Sequence, residues 1–133
     1  MLCQVNTDKL IAVIDDEVDF LLTISSILKR KGFRVITGSA ESAVKPILEK
    51  SPDLILLDIN LPGKSGLEIC RQVKSGKSTK DIPIVIVSGN ADIRYAYKGC
   101  YADNYLQKPF GVPQLINVIS KLFKGNRGPK NAG

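Results

Sequence analysis

At 133 residues, with 44% hydrophobic and 24% charged side chains, the chain holds material for one folded domain with a real core and too little for two. No apolar run is long enough to cross a bilayer, and residues 1–8 lack the basic start and apolar centre of a signal peptide, so a cytoplasmic protein is expected. The net charge of +6 would suit nucleic acid, but Lys121, Lys124, Arg127 and Lys130 lie in the last thirteen residues, where there is no acid. The remainder carries fifteen bases against thirteen acids, a net of +2, so nucleic-acid binding by this domain is not expected. Cys3, Cys70 and Cys100 are odd in number and accompanied by no histidine. They suggest neither a disulfide framework nor a zinc site, and reduced thiols are the expectation.

Residues 1–8 read as a short extension. Lys9 to Ile14 is an apolar run ending in Asp15-Asp16-Glu17, a first strand with three acids at its carboxyl end. Phe20, Leu21, Ile24, Ile27 and Leu28 then recur at helical spacing over residues 18–31, and Gly32 is a helix stop. Phe33 to Thr37 predicts a second strand. Ser39, with Glu41 and Ser42, predicts the cap of a helix running to about residue 50, which Pro46 must kink, shift or shorten. Leu54 to Leu57, opened by Pro52 and closed by Pro62-Gly63, has the length and flanks of a strand buried on both faces, with Asp58 at its carboxyl end.

Leu67, Ile69, Cys70 and Val73 mark a third helix, and Gly76 to Asp81 a polar, Lys-rich loop. Ile82 to Val87 is a fourth strand ending in Ser88-Gly89-Asn90. A short helix follows between Asp92 and Tyr101, weakened by Gly99. Asn104 to Gln107 is a last strand before Lys108-Pro109-Phe110. Pro113 sits where a helix's first turn tolerates it, with Leu115, Ile116, Ile119, Leu122 and Phe123 on the buried face. Residues 125–133 are Gly, Pro and polar side chains and read as a flexible basic tail or linker. Strands alternating with helices require a parallel sheet covered on both sides by right-handed crossovers. The expected fold is a doubly wound α/β domain with five strands in the order 2-1-3-4-5 and five flanking helices.

In that order strands one, three, four and five are neighbours, so Asp15 and Asp16, Asp58, Ser88 and Lys108 converge at one set of carboxyl ends. Crowded carboxylates repel one another unless a cation sits among them, and Mg²⁺ suits a shallow site with few carboxylates and retained waters. Lysine and a serine hydroxyl add donors for an anion held against such a metal, and phosphate is the natural anion.

Four pieces in order, Ile14-Asp15-Asp16-Glu17, Leu57-Asp58-Ile59-Asn60-Leu61-Pro62-Gly63, Val87-Ser88-Gly89 and Tyr105-Leu106-Gln107-Lys108-Pro109-Phe110, give residues 9–124 their resemblance. The chain resembles the receiver domain of two-component response regulators. The resemblance implies that Asp58 takes a phosphoryl group from a phosphohistidine of a histidine kinase or histidine phosphotransfer protein, or from a small phosphodonor. It implies direct Mg²⁺ binding by Asp16, Asp58 and the backbone carbonyl of Asn60, with Asp15 acting through water. Lys108 would pair with the phosphoryl oxygens, and the Lys108–Pro109 bond would be cis. Ser88 and Tyr105 would form a switch that remodels the face of the fourth helix, fifth strand and fifth helix for an output domain or effector protein. That face carries Tyr95, Tyr97, Tyr101 and Tyr105, all four tyrosines of the chain, and is open to a homodimer as well. Such a protein is a signalling module that catalyses only its own phosphorylation and dephosphorylation. Two departures stand out: the segment from Ser88 to Lys108 is a little short, and Tyr101 stands where a glycine commonly precedes the last strand.

Two other readings use the same strand ends. An aspartate-nucleophile phosphohydrolase of the haloacid dehalogenase type needs a second Asp two residues after the nucleophile; that place holds Asn60, which cannot exchange a proton. A pseudo-receiver acting as a constitutive binding module conflicts with the complete set Asp15, Asp16, Asp58, Ser88 and Lys108. Gly63-Lys64-Ser65 and Gly76-Lys77-Ser78 are not P-loops, since Asp58 and Arg71 stand where the earlier glycine is required.

Overall fold

The structure, a computed structural model, describes the backbone of residues 8–132 and the side chains of residues 8–124. Its elements are β1 (Leu10–Ile14), α1 (Val18–Arg30), β2 (Arg34–Gly38), a 3-10 turn (Glu41–Ala43), α2 (Val44–Leu48), β3 (Leu54–Asp58), α3 (Gly66–Ser75), β4 (Ile84–Ser88), α4 (Ile93–Gly99), β5 (Asn104–Gln107) and α5 (Val112–Ala132). All strands are parallel, in the order β2-β1-β3-β4-β5. This is the doubly wound α/β arrangement that the sequence predicts. Among the described residues, no helix is long and apolar enough to cross a membrane.

The continuous apolar runs of β1, β3 and β4 are explained by burial at every position. Successive side chains point to opposite faces, so each strand feeds two cores. Ile11, Val13, Leu54, Leu56, Val85 and Val87 pack with α1 and α5 residues such as Leu28 and Leu115. Ala12, Ile14, Ile55, Leu57, Ile84 and Ile86 pack with Ile47, Ile69, Cys70 and Ile93 from α2, α3 and α4. Each fully buried Leu or Ile contributes roughly 1.5–3 kcal/mol, and this double layer is what fixes the strand ends in space. At the opposite end of the sheet, Asp53 and Asp103 lock the register. The Asp53 carboxylate accepts from Leu10 N at 2.7 Å, and the Asp103 carboxylate accepts from Ile84 N at 2.8 Å.

The second helix is shortened, as Pro46 requires, but not capped as expected. The chain enters it through the 3-10 turn, and Ala40 and Ala43, not Ser39 or Ser42, stand at the two N-cap positions, without a side-chain cap. Pro46 falls in the first turn of α2, where its missing N–H has no intrahelical partner to lose. The backbone of α5 continues through residues 125–132, the segment that composition reads as a tail.

Helices α1 and α4 end in the same motif with different residues. After α1, Phe33 N donates to Leu28 O and Gly32 N to Lys29 O, with Gly32 at φ 100°. After α4, Ala102 N donates to Tyr97 O and Tyr101 N to Lys98 O, both at 3.1 Å, with Tyr101 at φ 67°. The left-handed position favours glycine because a Cβ there crowds the following carbonyl. Tyr101 is the non-glycine exception that the sequence flags, and its side chain is exposed.

Gly66 starts α3 against the end of β3. A Cβ there would lie 2.6 Å from Ile59 Cα and closer still to the Asp58 carbonyl oxygen. In denaturant titration, Tyr101→Gly is expected to raise stability by roughly 0.5–1 kcal/mol, the strain released less the entropy glycine adds to the unfolded chain. Gly66→Ala is expected to lower it by about 1–3 kcal/mol, because the clash is with backbone.

Candidate functional site at the carboxyl ends of the strands

The sheet register brings the expected residues to one rim. Ile14 is paired with Leu57, Asp58 with Val87, and Ser88 with Gln107, so Asp15, Asp58, Ser88 and Lys108 leave neighbouring strands at nearly the same height. Lys108 N donates to Ser88 O at 2.8 Å, and the Lys108–Pro109 peptide is cis as the resemblance implies. Burial at the rim is deep for polar groups: Asp15 is 1%, Asp58 5% and Ser88 1% exposed.

Three of these residues are held by the same local device. Asp15 Oδ1 accepts from Glu17 N at 2.9 Å, Asp58 Oδ1 from Asn60 N at 3.2 Å, and Ser88 Oγ from Asn90 N at 3.0 Å. Each strand thus ends in a side chain that bonds the backbone two residues on, the habit that makes Asp and Ser turn formers. The bond fixes one oxygen of each carboxylate and leaves the other for a partner. Ligand oxygens of Asp15, Asp16 and Asp58 all lie within 4.8 Å of one another.

Lys108 is the cation at this rim. Its Nζ lies 2.8 Å from Asp15 Oδ2 and 3.0 Å from Glu17 Oε1, and 4.1 Å from the centre of the Phe20 ring. Phe20 is itself met edge-on by Phe110 at 6.0 Å. Among the described residues its ion pairs go to Asp15 and Glu17, not to Asp58. Glu17 and Phe20 were not identified as site residues from the sequence. Glu17 reads there only as the third acid of a run and Phe20 only as part of a helical apolar face, although their spacing of three puts Glu17 at the N-cap and Phe20 in the first turn of α1.

The electrostatics follow from this placement. Burial pushes the Asp58 carboxyl above its ordinary range; the Asn60 N–H and Lys108 pull it down, while Asp15 and Asp16 push it further up. For Lys108, burial disfavours the charge, but the hydrogen bonds to Asp15 and Glu17 outweigh it and hold the ammonium above its ordinary value. Three converging carboxylates, one buried and destabilised as an anion, fit a hard divalent cation that takes oxygen ligands and keeps several waters, as Mg²⁺ does. Tyr105 is half-buried on β5, its ring 5.0 Å from that of Tyr97 on α4.

Comparison with known proteins gives a consistent family. Residues 11–120 match the family described as the response regulator receiver domain. The phosphate regulon transcriptional regulatory protein PhoB of Escherichia coli K12 is 32% identical over 117 residues, which cover 86% of this chain and 51% of PhoB. The DNA-binding response regulator MtrA of Mycolicibacterium paratuberculosis is 31% identical over 119 residues, 87% of this chain and 52% of MtrA. The chain thus spans about half the length of these curated relatives. Among solved structures, a response regulator from Chloroflexus aurantiacus superposes with a TM-score of 0.82 at 25% identity, covering 87% of this chain and 98% of that one.

A carboxyl whose value is raised by folding favours the native state when protonated, so its contribution is lost as pH rises from the ordinary carboxylate range through the raised value. In chelator at neutral pH, Asp58→Asn is therefore expected to raise the melting temperature by a few degrees. The gain should shrink on acidification below the ordinary carboxylate range, and Mg²⁺ should stabilise the native chain more than the variant. Calorimetry across pH, with and without metal, checks all three.

Proposed function

This chain belongs to the response regulator receiver domain family, and we propose that within it Asp58 is the phosphoryl acceptor of a two-component phosphorelay. The observation that carries the proposal is the convergence of Asp15, Asp16 and Asp58 within 4.8 Å, with Lys108 Nζ 2.8 Å from Asp15. The free Asp58 oxygen attacks phosphorus as the bond to the donor's imidazole nitrogen breaks. The donor is a histidine kinase or a histidine phosphotransfer protein, and acetyl phosphate is a small substitute. Phosphoryl transfer needs in-line positioning and neutralisation of oxygen charge more than covalent chemistry from the protein.

Receiver domains generally bind Mg²⁺, and here Asp16, Asp58 and the Asn60 carbonyl would hold it, supplying charge for the phosphoryl oxygens. Asp15 acts through water in this reading, which its engagement by Lys108 and Glu17 N supports. Lys108 provides the protein's own positive charge to the phosphoryl group. Ser88 already accepts a hydrogen bond from Asn90, so its hydroxyl proton is the one to reach the product. Movement of the Ser88 loop is then read out by Tyr105 on the face formed by α4, β5 and α5. A cytoplasmic setting, an output domain like those of the DNA-binding relatives or a separate effector, and homodimerisation through that face belong to the same proposal.

Intact mass after incubation with acetyl phosphate and Mg²⁺ tests it. One labile phosphoryl group is expected on the native chain and none on Asp58→Asn or in chelator; an adduct that survives Asp58→Asn overturns the assignment. Lys108→Ala should slow phosphorylation by about 10²-fold or more, the scale of losing one preorganised positive donor. Ser88→Ala should still be phosphorylated, yet its partner binding should respond less to phosphorylation than that of the native chain. Undiminished response would remove Ser88 from the switch.

A further inference from the structure

Two partners of Lys108, Glu17 and Phe20, have no part yet in the proposed chemistry. Glu17 stands at the N-cap of α1, but its side chain makes no cap hydrogen bond; its backbone N–H closes the turn there by donating to Asp15 Oδ1. The helix cap does not use the Glu17 carboxylate. That carboxylate is 65% exposed and accepts from Lys108 Nζ at 3.0 Å, its one hydrogen bond among the described residues. Phe20 lies one turn further on, half-buried, with Phe110 edge-on to it at 6.0 Å and the Lys108 ammonium 4.1 Å from the centre of its ring.

A lysine ammonium has three N–H donors. Two of them go to Asp15 Oδ2 and Glu17 Oε1, at 2.8 and 3.0 Å. To give another anion at the rim more than one hydrogen bond, Lys108 must release a contact, and its contacts are not equal. Asp15 is 1% exposed, so releasing it would strand a buried carboxylate, which is costly. Leaving the Phe20 ring forfeits an attraction that burial strengthens. Glu17, by contrast, simply returns to water, where it loses little. Glu17 is the contact that gives way.

We propose that Glu17 is a brake on phosphorylation at Asp58, its carboxylate competing with the incoming phosphoryl group for the Lys108 ammonium, and that Phe20 is a positioning residue that keeps the ammonium at the rim once Glu17 has let go. The inference rests on the reading of Asp58 as the phosphoryl acceptor and adds what sets its rate. With acetyl phosphate as donor, the Asp58 oxygen bonds to phosphorus as the bond from phosphorus to the acetyl oxygen breaks and acetate leaves; Lys108 keeps its proton throughout. The two residues therefore act with opposite sign. Removing the Glu17 charge frees the cation, whereas removing the Phe20 ring lets it stray into solvent.

The test follows phosphorylation of the full chain by acetyl phosphate and Mg²⁺, read by intact mass at low ionic strength. Glu17→Gln is expected to react roughly two- to fivefold faster than the native chain, the scale of one exposed ion pair. Phe20→Leu should react roughly two- to fivefold slower, and Phe20→Tyr, which keeps the ring face, at close to the native rate. In a Lys108→Ala background, Glu17→Gln should change nothing. Without metal, NMR relaxation of the Lys108 ε-methylene should show added motion in Phe20→Leu and little in Glu17→Gln. Equal rates for Glu17→Gln and the native chain overturn the brake. A gain that persists in Lys108→Ala does so too, since the Glu17 charge would then act on the donor directly. An ε-methylene as mobile in Glu17→Gln as in Phe20→Leu makes Glu17 a tether and overturns the competition. An unchanged rate in Phe20→Leu removes Phe20 as a positioning residue. A native chain that takes no phosphoryl group overturns the reading of Asp58 itself, and the brake with it.

Discussion

Everything at the working end of this molecule depends on one constraint: carboxylates are crowded at the rim of a buried parallel sheet, where water screens them poorly. Asp15 and Asp58 are almost wholly buried, and Asp16 brings a third acid within 4.8 Å. Such a cluster is unfavourable by itself. It persists because the two hydrophobic layers on the sheet leave the ends of β1 and β3 nowhere else to go, and because Lys108 returns from β5 to balance the charge. The close seating of Gly66 under Asp58 belongs to the same constraint, since it brings the start of α3 against the end of β3 with no room for a side chain.

The rim is also economical in its local structure. Asp15, Asp58 and Ser88 use one geometry, an acceptor bonding the N–H two residues on, at three adjacent strand ends. The same bond that forms the turn orients the side-chain oxygens at the rim, so the turn and the candidate site are not separate features. The two buried acids nevertheless differ. Asp15 has its second oxygen on Lys108, whereas Asp58 has no ion pair among the described residues and carries the cost of burial as a raised carboxyl value. In the proposed function that asymmetry suits Asp15 to balance charge and Asp58 to react.

Much of this was legible in the sequence, for reasons that can be named. Doubly buried strands are unbroken aliphatic runs, so β1, β3 and β4 announce themselves, and the alternation with helices leaves few topologies. The polar residue that ends each run is then a candidate site residue almost by construction. What was not legible lay where backbone conformation or distant packing decides. The serines at 39 and 42 resemble caps, yet the chain enters α2 through a 3-10 turn. Glu17 and Phe20 match the patterns of an acid run and an apolar helix face, and only the return of Lys108 from ninety-one residues away gives Glu17 a partner. Tyr101 stands out as a missing glycine, but its left-handed conformation is a property of the helix end. Cys70 and Cys100 meet through the packing of α3 against the end of α4, which no local pattern encodes.

The three partners of Lys108 among the described residues bear on how such a site stays ready. A lysine stem is flexible and its ammonium is strongly hydrated, so an unpaired Lys108 would spend its time in solvent. Here Asp15 supplies a buried charge, Glu17 an exposed one, and Phe20 a ring face 4.1 Å away, an attraction of about 0.5–2 kcal/mol. The buried contact holds the ammonium at the rim, while the exposed contact is screened and weak. Under the proposed function, an anion on Asp58 would therefore compete chiefly with Glu17 for a cation that Asp15 and Phe20 already position.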